Sequence, residues 1–175
     1  MNCILLIFIT LAALFIAGST NNIVTVSTAL DRYFEKAHAP DSWFLTTDSG
    51  EFRRFEDFAA EYGYDYAPVE LIQIDPKDVQ ISGKPFEYSN TLCLSALGGT
   101  KIFDRDGTEI TKVRDGEIYV TAETFHSDKN DFYDGCKILV KSGNAEKEFT
   151  LKSYTKDVLF GSPMVGMSHF LVSEA

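Results

Sequence analysis

Residues 4–18 read ILLIFITLAALFIAG, an apolar run with one hydroxyl and no charge. A spanning helix takes about 20 apolar residues, whereas a secretory h-region takes about 7 to 15 and is followed by small residues. Ala17, Gly18 and Ser19 supply those small residues, and cleavage after Ser19 would put Ala17 at the minus-three position. The pattern therefore predicts a signal peptide over residues 1–19. Because Met1-Asn2-Cys3 carries no Lys or Arg, and the apolar run can extend through residues 19–22 into Ile23 and Val24, a retained anchor is the alternative.

Farther along, Val26, Ala29, Leu30, Tyr33, Phe34 and Ala37 recur at three-and-four spacing opposite Asp31, Arg32, Glu35 and Lys36. This predicts an amphipathic helix ended by Pro40. Phe52, Phe55, Phe58, Ala59 and Tyr62 form the apolar stripe of a second helix, with Gly63 as its C-terminal cap. That stripe is expected to face the core. From Val69 onward the period changes to that of strands, in short runs at 69–74, 79–81, 86–88, 91–97, 101–103, 109–113, 117–123, 136–140, 148–151, 158–160 and 170–172. Within 117–123, Ile118, Val120 and Ala122 alternate with Tyr119 and Thr121, and Asp106-Gly107 and Asp115-Gly116 are hairpin signals.

The expected fold is α+β and β-dominated: two N-terminal amphipathic helices followed by an antiparallel β-sandwich or barrel of about eight to ten short strands. Residues 107–122, GTEITKVRDGEIYVTA, resemble the hairpins of immunoglobulin-like β-sandwiches, which makes such a sandwich one form the β part would take. The expected organisation is a signal peptide or anchor over 1–19, a helical segment over 20–68 packed on the sheet, and an antiparallel β domain over 69–175.

Charge narrows the partners. The net charge is -10, and the first thirty residues hold no Asp, Glu, Lys, Arg or His. A field of that sign repels phosphate backbones and anionic head groups, so nucleic acid is excluded and a membrane enters only through a retained N-terminal segment. Beyond Cys3, the two cysteines Cys93 and Cys136 lie in predicted strands. In an exported domain they are expected to form a disulfide, constraining the unfolded chain by about 4 kcal/mol in the entropy model. The expected location is secreted or periplasmic, with a membrane-anchored form as the alternative.

Catalytic patterns are weak. No G-x-S-x-G, P-loop, Rossmann glycine run or H-E-x-x-H occurs. Ser153-Tyr154-Thr155-Lys156 matches S-x-x-K without the later motifs of serine acyl enzymes. Residues 104–109 are acidic but fail the EF-hand pattern at Glu109 and Asp115. The loop 127–135 gathers Asp128, Asn130, Asp131 and Asp134 around Phe132 and Tyr133. Its acids would suit a calcium ion or simply solvent, and its aromatics would suit a partner surface or the core. No cofactor is expected. The composition points to an exported, acidic, non-enzymatic binding module of the inhibitor, immunity or adhesion type, acting on a macromolecular partner through Asp128, Asn130, Asp131, Phe132, Tyr133 and Asp134. The alternatives are a small exported hydrolase built around His126, and a structural envelope or particle component held by the N-terminal helix.

Overall fold

The computed structural model describes residues 2–87, 91–127, 131–161 and 167–174. The chain divides into two units, Met1–His38 and Ala39–Ala175.

The first unit is a single helix, α1 (Asn2–Ala37), of 36 residues, about 54 Å at 1.5 Å per residue. The apolar run at 4–18 and the amphipathic run at 26–37 are thus one element. Gly18 and the polar residues 19–22 between them lack a proline, so nothing removes a backbone donor from the helical ladder. Within α1, residues 6–37 are long and apolar enough to cross a membrane. Leu6, Phe8, Phe15, Ile23 and Val26 are all exposed along it.

The second unit opens with α2 (Ser49–Tyr62). Asp48 caps it by accepting the Gly50 amide at 2.7 Å, and Gly63, at φ 70°, returns its N–H to the Ala59 carbonyl. The predicted helix therefore forms, yet its aromatic stripe is not core. Ala59 is buried, Phe52 and Phe55 are half-buried, and Phe58 and Tyr62 are exposed. The helix belongs to the sheet-bearing unit and not to a helical N-terminal segment.

Nine strands follow among the described residues: β1 (Ile72–Ile74), β2 (Val79–Ile81), β3 (Lys84–Pro85), β4 (Thr91–Ser95), β5 (Phe103–Asp104), β6 (Glu117–Thr121), β7 (Lys137–Ser142), β8 (Ala145–Lys156) and β9 (Met167–Leu171). A short helix, α3 (Ala122–Phe125), continues directly from β6. The strands form one sheet in the order β1-β4-β9-β6-β8-β7-β2-β3, with β5 paired to β8. The fold is α+β and β-rich as expected, but the sheet is a mixed half-barrel and not an antiparallel sandwich. β4 runs parallel to β9, and β6 runs parallel to β8. The reason lies in the connections. The turn at Asp106-Gly107 closes tightly, with the Asp104 amide donating to the Thr108 carbonyl, but the returning residues make only a bridge at Phe103 and Glu109. The turn at Asp115-Gly116 leads into β6, whose neighbours β8 and β9 come from far along the chain. The run at 158–160 is a turn, not a strand.

Alternation along the strands sends side chains to two cores. Leu92, Leu94, Ile118, Val120, Phe149, Leu151 and Phe170 share the larger one with β2 and β7 residues. Tyr119 and Leu171 point to the smaller one, with Ile102, Ile110 and Val113. The predicted facing of Ile118 and Val120 against Tyr119 is what the sheet uses. Phe170 is fully buried and touches the Phe86 ring, with centroids 5.8 Å apart. Replacing Phe170 with Ala is expected to cost about 3–5 kcal/mol, read from urea unfolding midpoints. A loss well under 1 kcal/mol would show that β9 contributes little to closing this core.

Candidate functional site

The loop expected to carry binding is partly tied down. Asp128 and Asn130 lie outside the described residues. Asp131 pairs with Lys84 at 2.7 Å and Asp134 with Arg105 at 2.6 Å. The side-chain bond and charge of Lys84 hold the Asp131 carboxyl below its ordinary range. These acids are therefore matched to cations of the same chain and are not gathered round a common point. Among the described residues no group of three His, Cys, Asp or Glu is arranged to hold a metal. In the other acidic turn, the Asp104 carboxylate accepts the amides of Asp106 and Thr108.

The two loop aromatics part company. Phe132 folds back, edge-on to Phe86 at 6.1 Å and stacked on Phe125 at 6.2 Å. Tyr133 stays 57% exposed. With Ile81, Ser82, Lys84, Pro85, Glu87 and Asp131 it lines a surface groove of about 490 Å³. The groove sits at β3, an edge of the sheet. Pro85 lacks an amide donor there, which blunts that edge against strand addition.

On the other side of the sheet the structure assembles a group that no local spacing announces. Ser95 ends β4, His169 lies in β9, and Asp157 follows β8. The Ser95 Oγ lies 2.7 Å from His169 Nε2, and His169 Nδ1 lies 2.9 Å from Asp157 Oδ2. The other Asp157 oxygen accepts the amides of Leu159 at 2.8 Å and Phe160 at 3.2 Å. Gly161 closes this turn, and a Cβ there would collide with the Asp157 carbonyl. Burial pushes the Asp157 carboxyl up, but the bond and charge of His169 and the two amides outweigh it, so the group lies below its ordinary range. Nδ1 therefore carries the proton and donates. The Ser95 hydroxyl has one proton and two acceptors in reach, His169 Nε2 and the Ala96 carbonyl at 2.9 Å. Hydroxyl, imidazole and carboxylate thus stand in the order that activates a serine.

Access sets the role this group plays as it stands. Ser95 is 5% exposed and His169 2%. The Phe160 ring covers the imidazole at 4.6 Å, and Trp43 lies 6.1 Å beyond it. In this conformation the three side chains brace β4, β9 and the turn after β8. A sequence signal for them did exist: Ser95 and His169 are polar positions inside the apolar runs TLCLS and MSHFL.

His126, proposed from sequence, sits at the C-terminal end of α3 with its ring against Phe125 at 5.2 Å and Tyr154 at 4.9 Å. In the S-x-x-K tetrapeptide, Ser153 is buried and Lys156 exposed on the same strand, so alternation sends the two to opposite faces. Cys93 and Cys136, expected from sequence to pair, stand as free, buried thiols. Cys136 belongs to the larger core, while Cys93 alternates with Leu92 and Leu94 and so faces the opposite side of the sheet. Burial raises both thiols, with the charge of Asp134 adding to it at Cys136. Comparison with known proteins finds no family model and no curated protein that matches the chain.

The Asp157 carboxylate gives a pH test. Its folded value lies below the unfolded one of about 3.9, so its contribution is complete above that pH and is lost as pH falls through the folded value. Replacing Asp157 with Asn is expected to cost about 3–5 kcal/mol at neutral pH and to flatten the acid limb of the stability curve. Urea midpoints measured from neutral pH downward check this. An unchanged midpoint with an unchanged acid limb would remove the carboxylate from the account.

Proposed function

We propose that the chain is a membrane-tethered interaction module of an exported domain, non-enzymatic, held at the bilayer by α1 and engaging a protein partner through the groove at Lys84, Asp131 and Tyr133. The observation that carries this reading is the exposed apolar surface of α1 beyond the cleavage position. Removal of residues 1–19 would leave Ile23, Val24, Val26, Leu30 and Phe34, all exposed, in water. Retention in a bilayer covers the first of them and needs no break in a helix that runs unbroken through Ser19. The groove supplies the features of a small contact site: one exposed aromatic, a charged pair at its rim and an edge strand ended by proline. The net charge of -10 favours a basic partner surface.

A photoreactive residue in place of Tyr133, in the natively expressed protein, is expected to give a discrete cross-linked adduct. The same residue at Lys152, exposed on β8, is expected to give none. Equal patterns at the two positions, or no adduct at 133, would end the groove reading.

A small exported hydrolase is the second reading, favoured by the Ser95–His169–Asp157 chain of hydrogen bonds and not by His126. If Ser95 acts as a nucleophile, a fluorophosphonate probe labels the folded protein at Ser95 and labelling disappears in Ser95→Ala. Folded protein that stays unlabelled on prolonged exposure would leave the three residues as a brace alone.

A further inference from the structure

Two aromatic clusters stand on the surface of the second unit. Phe58, Tyr62 and Tyr64 lie with near-parallel rings: Tyr62 and Tyr64 are 23° apart in plane, and Phe58 and Tyr64 are 26° apart. Phe44 meets the Phe55 ring at 4.6 Å, and Phe55 meets Tyr66 at 5.7 Å. These rings are not core. Tyr62 is 61% and Tyr64 60% exposed, and Trp43, Phe44, Leu45, Phe58 and Tyr66 are exposed as well. So large a run of exposed apolar rings is uncommon on a soluble surface and calls for an occupant.

We infer that the occupant is the head-group layer of the bilayer that holds α1. The inference rests on the retained-anchor reading above. Two observations favour lipid. First, position: five residues separate the end of α1 at Ala37 from Trp43. The chain spans at most about 3.5 Å per residue, so Trp43 lies within about 20 Å of the helix end. Second, chemistry: the patch mixes Trp and Tyr, apolar rings with polar tips, with Phe and Leu. That is the composition enriched where a membrane meets water, and less that of a dry protein interface. The net charge of -10 of the whole chain opposes an anionic surface, so the lipid is zwitterionic.

Trp43 is the sole tryptophan and is itself exposed, next to Phe44 in the chain, so the fluorescence of the chain reports on this stretch. The full chain is reconstituted into phosphatidylcholine vesicles, with and without bromine on the upper acyl carbons. Retention on carbonate washing is scored separately. The expected result is carbonate-resistant protein whose Trp43 emission is shifted to the blue and quenched by the brominated lipid. Both effects should be lost in the Phe58→Ser/Tyr62→Ser/Tyr64→Ser variant, whose circular dichroism stays that of the parent. Resistant protein with water-exposed, unquenched Trp43 would overturn the lipid face and leave the anchor standing. Quenching that survives the triple substitution would also overturn it. A detergent-solubilised dimer that the same substitutions dissociate would replace lipid with a second copy. Release by carbonate would overturn the anchor and the face together.

Discussion

The sheet depends on the seating of its last strand. β9 enters between β4 and β6, parallel to one and antiparallel to the other, and Phe170 and Leu171 complete the two cores from its two faces. Each face is also clasped by buried polar groups. On one, Ser168 hydrogen-bonds Thr124, which bonds Thr121, tying β9 to the short helix after β6. On the other, His169 joins Ser95 of β4 to Asp157 in the turn that brings the chain back. Buried polar networks of this kind are costly when incomplete and specific when complete, so they fix the position of an inserted strand more sharply than apolar contact alone.

The same clasp explains why a Ser–His–Asp connectivity need not imply turnover. The carboxylate is pinned by two backbone amides, the imidazole is capped by Phe160, and the serine hydroxyl has a carbonyl as a second acceptor. The geometry suits proton transfer, while the burial suits a brace. What faces solvent is of a different character: a long helix whose first 29 residues carry no charged side chain, two aromatic clusters that begin at Phe44, and an ion-paired groove at a sheet edge.

Much of the local structure was legible from sequence, and the long-range structure was not. The alternation of Ile118 and Val120 with Tyr119 gave β6 its facing, and Gly63 ends α2 as its cap. The parallel pairings escaped because Asp-Gly turns announce hairpins whether or not the returning segment becomes a neighbour in the sheet. The continuity of α1 escaped because residues 19–22 are polar, and polarity was read as a boundary although nothing there breaks a helix. Ser95 and His169 are 74 residues apart, and no spacing rule reaches so far. Their visible trace was polarity at buried strand positions. Pairing Cys93 with Cys136 followed from export alone; in the structure both thiols are free.

The account stands most directly on α1 remaining part of the mature protein. The deciding measurement is the intact mass of the natively produced protein, taken with thiol alkylation after unfolding without reductant. The account predicts a chain that keeps the whole of α1, found with membranes, and alkylated at both Cys93 and Cys136. A soluble species lacking about the first 19 residues, with those two cysteines blocked until reduced, would contradict it.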